Sequence, residues 1–145
     1  MKLISHRGNI DGPNPVRENS PYYIMEAISM GYEVEIDIWV IYNSFYLGHD
    51  GPQYSIRTEW LYDKEDKLWI HCKNIEAMEW FNNSGKFNYF WHQEDTVTLT
   101  SKGYMWAYPG KQPIKNSIAV MPELYNDNLN SCIGICSDYI QNYKK

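Results

Sequence analysis

Eight short strand-forming runs, most of them too closely spaced for a helix to fit between, are what most restricts the fold of this chain. They lie at Lys2–Ser5, Glu33–Ile38, Phe45–Gly48, Lys67–Cys72, Asn88–Trp91, Tyr104–Ala107, Ser117–Met121 and Ile133–Ser137. β-Branched and aromatic residues bounded by Gly, Pro, Asn and Asp mark them. Several are apolar or aromatic throughout, as befits strands buried on both faces of a parallel sheet. Only two connections predict a convincing helix. In the first, Ser20 caps, Pro21 takes the first helical position, Ile24, Met25 and Ile28 share a face, and Gly31 ends the run. In the second, Asn74 caps, Ile75, Met78 and Phe81 share a face, and Gly85 stops it. Thr58–Tyr62 predicts a third, short helical turn. The late connections Glu94–Lys102 and Pro109–Asn116 read as turns or extended returns. The pattern is α/β, with no repeat or linker, and predicts one domain over residues 1–145.

Composition narrows the partners. The chain is 43% hydrophobic and 21% charged, and 13 Lys and Arg face 18 Asp and Glu for a formal net charge of −5. An acidic chain without a basic block is not built to bind nucleic acid, although one local phosphate site is compatible with it. Apolar runs are too short to span a bilayer, and His6 and Arg7 interrupt the N-terminal segment before a signal-peptide core forms. A cytoplasmic protein without membrane attachment is the expectation. Three cysteines make no disulfide framework, and the spacing of Cys132 and Cys136 is wrong for a redox or zinc pair. The 16% aromatic content serves packing, a ligand cleft or a subunit contact.

Four polar signatures end strands: His6-Arg7-Gly8-Asn9, Glu35-Ile36-Asp37, His49-Asp50 and His71-Cys72-Lys73. Side chains alternate along a strand, so Glu35 and Asp37 share one side, as do His71 and Lys73. In parallel strands these ends form one rim, where α/β sheets place their ligands. No GxSxG elbow, phosphate-binding GxxxxGK[ST] loop or GxGxxG appears, so serine hydrolase, NTPase and dinucleotide readings lack support.

In this order HRG, EN(S) before a helix, ExD, HD and a lysine-bearing strand resemble the glycerophosphodiester phosphodiesterase family of phospholipase-C-like phosphodiesterases. Ser137-Asp138-Tyr139 resembles that family's last-strand signature. The resemblance covers roughly the first half of the chain and thins afterwards. It implies a metal-dependent phosphoric diester hydrolase folded as a minimal TIM-type β/α barrel with several helices reduced or missing. At 145 residues the chain is shorter than the roughly 200–400 usual for such barrels. Strand faces stripped of their helices would meet water, so a homo-oligomer is expected.

By the same resemblance, His6 and His49 are the acid/base pair, work suited to imidazole near neutral pH. A structural histidine is the alternative for each. Glu35 and Asp37 correspond to metal ligands, and two carboxylates on one strand face are costly to bury without a cation. Arg7 and Lys73 would hold the phosphate, against surface salt bridges as the plainer reading. Glu18 would orient Arg7 or a metal-bound water, or simply act as a helix-start charge. Asp50 supports the turn at His49. His92, Tyr108 and Glu123 end later strands as substrate contacts or turn residues, and Trp39 and Trp106 as core fillers or sugar platforms.

One departure bears on the cofactor. The family carries a carboxylate two residues before the lysine, where this chain has His71. The resemblance implies Mg or Ca, whereas an imidazole in the set suits Mn, Fe or Zn better. His71 could instead transfer protons or contact phosphate. The expected substrate is a small glycerophosphodiester-like or sugar-linked phosphodiester. The alternative is a non-hydrolytic phosphodiester-binding module that has kept the site and lost turnover. A lipid-cleaving phospholipase is disfavoured by the absence of an amphipathic membrane segment.

Overall fold

The longest strand, β2 (Glu33–Ile41), organises the sheet because three strands hydrogen-bond to it in the computed structural model, which describes residues 1–145. Backbone groups of its odd-numbered residues face one edge. There β1 (Lys2–His6) pairs in parallel beside Glu33–Glu35, and β3 (Ser44–Leu47) pairs antiparallel beside Ile38–Ile41. The even-numbered groups face β5 (Leu68–Cys72), which runs parallel.

Parallel pairing continues outward in both directions. Beyond β5 lies β6 (Asn88–Phe90); beyond β1 lie β10 (Gly134–Ser137), β9 (Ser117–Val120) and β8 (Met105–Ala107). Two short strands are attached antiparallel, β4 (Tyr54–Ile56) on β3 and β7 (Val97–Leu99) on β8. Each of the eight expected runs forms a strand, while β4 and β7 had no counterpart among them.

The two predicted helices form with the expected caps. In α1 (Pro21–Ser29) the Ser20 side chain accepts a hydrogen bond from the Tyr23 amide. In α3 (Ile75–Ser84) the Asn74 side chain accepts from Ala77, and Gly85 closes the helix at φ 68°. Asn74 also trades hydrogen bonds with both backbone groups of Val40, extending the β5 edge by one side chain. Between β4 and β5, α2 (Thr58–Tyr62) supplies the short helical turn. No helix is long and apolar enough to cross a membrane.

The barrel expectation is overturned. Ten strands form a curled mixed sheet with only three short α-helices, not a TIM-type alternation of strands and helices. Connection length is the physical reason. Tyr42 and Asn43, at φ 48° and 64°, are the only residues between β2 and β3, and two residues join antiparallel neighbours, never a parallel crossover. The late links from β7 onward hold turns or a 3₁₀ turn at Pro122–Leu124 and no α-helix.

Curling brings distant strands together. Ile4, Trp69, Phe90, Trp106, Ile118 and Cys136, from six strands, form one buried cluster. Trp106 lies 5.6 Å from Trp69 and 4.8 Å from Phe90 between ring centroids. Such contacts across the sheet require a strongly bent surface with these side chains on its inner face. On the outer face Ile36, Ile38, Val34 and Ile70 pack with Ile24, Ala27, Ala77 and Phe81 of α1 and α3. Trp106 is thus a core filler.

Candidate functional site

The C-terminal ends of β1, β2 and β5 lie side by side. Parallel register sets His6 opposite Glu35 and Asp37 opposite His71, so strand alternation aims all four side chains at one place. The His6 ring lies 3.8 Å from Glu35 through Nε2. His71 Nδ1 lies 3.2 Å from Asp37 Oδ1 and 3.7 Å from Glu35 Oε2. Arg7 brings its Nε to 3.3 Å from Asp37 Oδ2 and donates through Nη1 to Glu18. Arg7 at φ 59° and Gly8 at φ 94° turn the chain sharply after β1. A Cβ at residue 8 would overlap the Tyr23 ring.

Charge balance governs protonation here. Burial pulls the His71 imidazole down, but the Asp37 and Glu35 carboxylates outweigh it and push it up to about 9. Burial pushes Asp37 up, and the neighbouring His71, Arg7 and Asn19 more than reverse this, holding it well below the usual carboxylate range. Burial likewise lowers His6, yet its hydrogen bond to Asp138 and the charge of Glu35 raise it overall.

A layer of supporting residues was not among the expected site residues. His6 Nδ1–H donates to Asp138 Oδ1 at 2.7 Å, and Asn9 donates to the same oxygen and to Glu18. The Tyr23 hydroxyl donates in turn to Asn9. Asn19 embraces Asp37, donating to Oδ2 at 2.9 Å while its own carbonyl accepts the Asp37 amide. Asn9 and Asn19 sat inside the HRGN and ENS signatures, and Asp138 inside the last-strand signature. Those signatures were the only signal, because a side chain that orients another has no spacing of its own.

Glu35, Asp37 and His71 place one donor atom each within 4.8 Å of one another. Glu35 Oε1 and Asp37 Oδ1 are both buried without a hydrogen-bond partner, a costly state unless something else engages them. Two carboxylates and one imidazole converging on such oxygens suit a divalent cation.

The remaining residues divide. His49 reaches the rim by a route that parallel strands would not supply: β2 overshoots Asp37, turns, and β3 descends until the Gly48 amide bonds the Asp37 carbonyl. His49 is half-exposed and binds Asp50 through Nδ1 at 2.7 Å. It borders a polar cleft of about 460 Å³ that Arg7, Glu18 and Asn19 line from the opposite loop. His6 and His49 share no hydrogen bond. Lys73 follows β5 and makes no ion pair. His92 is pinned to Asp95 at 2.9 Å and neighbours Tyr108, with ring centroids 5.9 Å apart. Glu123 is not brought to this rim: its carboxylate accepts from Ser137 and Tyr143, tying the late turns to β10. Trp39 lies on the Glu35–Asp37 side of β2 and donates to the Gly48 carbonyl.

No family model, curated protein or solved structure matches the chain.

Proposed function

We propose that the chain hydrolyses a small glycerophosphodiester-like or sugar-linked phosphodiester with the help of a divalent metal, as its motifs' resemblance to glycerophosphodiester phosphodiesterases implies. The observation that carries the reading is the meeting of Glu35, Asp37 and His71 beside His6 and Arg7, with Glu35 Oε1 and Asp37 Oδ1 buried, accepting no well-formed hydrogen bond and faced by the His6 and His71 rings. A cation held by those three residues would supply charge for a phosphoryl oxygen. Arg7 and the unpaired Lys73 would bind the remaining phosphate oxygens.

His6 is suited to be the acid. The Asp138 hydrogen bond and the Glu35 charge favour its protonated form, and Asp138 holds Nδ1 so that Nε2 presents the proton. His49, held by Asp50 at Nδ1, is suited to be the base through Nε2. It takes the proton of the attacking water, or of a neighbouring hydroxyl of the substrate, as the new P–O bond forms. His6 gives its proton to the departing oxygen as the old P–O bond breaks. Attack by the neighbouring hydroxyl yields a cyclic phosphate.

Phosphorus NMR of candidate phosphodiesters with Mg, Ca, Mn and Zn tests this, beside Asp37→Ala. Metal-dependent product that Asp37→Ala abolishes is expected; turnover indifferent to Asp37→Ala would defeat the site. A second reading is a phosphodiester-binding module without turnover. It is favoured by the ion pairs that Arg7 and His71 make with Asp37, which already compensate that charge. Binding without product under any metal would select it.

Two further expectations belong to the same proposal. A cytoplasmic protein is one. The other is self-association, supported by exposed apolar side chains such as Leu99, Leu124 and Tyr125, and light scattering showing a monomer at micromolar concentration would overturn it.

A further inference from the structure

We propose that Phe90 and the His92 carbonyl clamp the His71 ring so that Nδ1 alone faces the carboxylates, and that this clamp makes the site select Zn²⁺ over Mg²⁺ and Ca²⁺. The inference rests on reading Glu35, Asp37 and His71 as a metal site, and goes beyond that reading by assigning the selecting element and the ion.

The clamp has two jaws, both from β6 and the loop after it. His71 Nε2–H donates to the His92 carbonyl at 2.9 Å, and the ring lies stacked on Phe90, with centroids 5.2 Å apart and planes 16° apart. Turning the ring over would carry a carbon to the His92 carbonyl and sacrifice that hydrogen bond in a largely buried place. The ring therefore keeps its proton on Nε2 when a cation is bound, and its Nδ1 lone pair points between Asp37 Oδ1 and Glu35 Oε2. A carbonyl acceptor behind the far nitrogen is the usual device for orienting a metal-binding histidine and raising its basicity.

The His92 carbonyl is itself fixed. Asp95 accepts from His92 Nδ1 at 2.9 Å, and Thr98 Oγ1 donates to the Trp91 carbonyl at 2.9 Å. The loop after β6 is thus closed on itself at the point where it meets His71.

The donor chemistry then decides the ion. Ca²⁺ takes six to eight oxygens and Mg²⁺ a near-ideal octahedron of oxygens, often mostly water. Three protein ligands leave a fourth position for water or substrate, the count of catalytic zinc sites, and Zn²⁺ accepts imidazole nitrogen and carboxylate oxygen alike. Imidazole nitrogen favours Zn²⁺ over the hard alkaline-earth ions.

Nitrogen-15 NMR and calorimetry on the metal-stripped full chain, titrated with ZnCl₂, MgCl₂ and CaCl₂ separately, test the proposal. With Zn²⁺, the His71 Nδ1 resonance is expected to move while Nε2 keeps its hydrogen; metal on Nε2, or an unmoved His71, overturns the clamp. Zn²⁺ is expected to bind more tightly than Mg²⁺, and His71→Glu to cut that preference about 10–100-fold. An unchanged preference overturns the selectivity. Asp95→Ala loosens the loop without touching the core and is expected to weaken Zn²⁺ about tenfold with little effect on Mg²⁺; equal loss for both ions refutes the part assigned to the loop. Phosphodiester turnover is read separately. Zn²⁺ binding with this signature and no product removes the hydrolytic reading alone, and Mg²⁺-supported turnover with an unmoved His71 removes the clamp alone.

Discussion

His6, on the first strand, donates a 2.7 Å hydrogen bond to Asp138, which follows the last strand. Carboxylate and imidazole each shift the other: His6 is raised above its ordinary 6.5 and Asp138 lowered below its ordinary 3.8. In both cases burial opposes ionisation, and for each it is the partner's hydrogen bond and charge that help win.

The sign of the pH dependence follows. The raised His6 contributes stability that is complete below 6.5 and fades as pH rises through its higher folded value. The lowered Asp138 contributes stability that is present above 3.8 and fades as pH falls through its lower folded value. The contact is at full strength between those limits. Asp138→Asn is expected to flatten melting temperature against pH on either side of this window, above 6.5 and below 3.8, in metal-free protein and to return the His6 titration, followed by NMR, toward 6.5. An unshifted His6 curve contradicts it.

Metal should appear in the thermal stability before any substrate is known. An ion bound only by the folded chain adds about 2.7 kcal/mol at a hundredfold excess over its Kd. Wild-type protein is expected to melt higher with the preferred ion than with a chelator. Asp37→Asn should erase the difference, and a persisting increment would move the ion elsewhere.

Gly48 tests how His49 reaches the rim. Its amide holds the Asp37 carbonyl and its own carbonyl accepts the Trp39 indole. At φ 153° an added Cβ would collide with the Gly51 carbonyl, a clash with backbone that no rotamer relieves. Gly48→Ala is expected to lower the melting temperature and to reduce turnover more than His49→Gln does, since it disturbs Asp37 and His49 together. Equal turnover would separate the β3 descent from the chemistry.

The inner cluster is open to a simpler test. Ile118 is fully buried between strand faces that meet only because the sheet curls. Ile118→Ala should cost about 2–5 kcal/mol, read as a lower urea midpoint at an unchanged slope. A loss below about 1 kcal/mol would mean the inner face is loosely packed.

Much of this was written in local patterns. Ser20-Pro21 and Asn74 to Gly85 bound α1 and α3 because caps act within one turn. Glu35 and Asp37 could be placed on one side because strand alternation is strict, whereas His71 joins them through the β2–β5 register. The barrel expectation failed where geometry depends on non-local choices. Tyr42-Asn43 lacks the glycine that usually announces a tight hairpin, so β3 passed for a parallel strand. Tyr54–Ile56 and Val97–Leu99, three residues each, are too short to show a period. Their pairing is decided by the neighbours β3 and β8, not by their own composition. Asp138 and Glu123 follow their strands by one and three residues, and nothing local tells that one supports His6 while the other ties down Tyr143.

The bond between His6 and Asp138 spans 132 positions of chain. During synthesis His6 emerges from the ribosome 132 residues ahead of its partner. Every nascent fragment that stops short of residue 138 thus carries an imidazole without its orienting carboxylate, and one that stops short of residue 134 also has β1 without β10 beside it. The rim therefore completes itself only once residue 138 has emerged, so a chain terminated before that residue is expected to be inert as well as unstable.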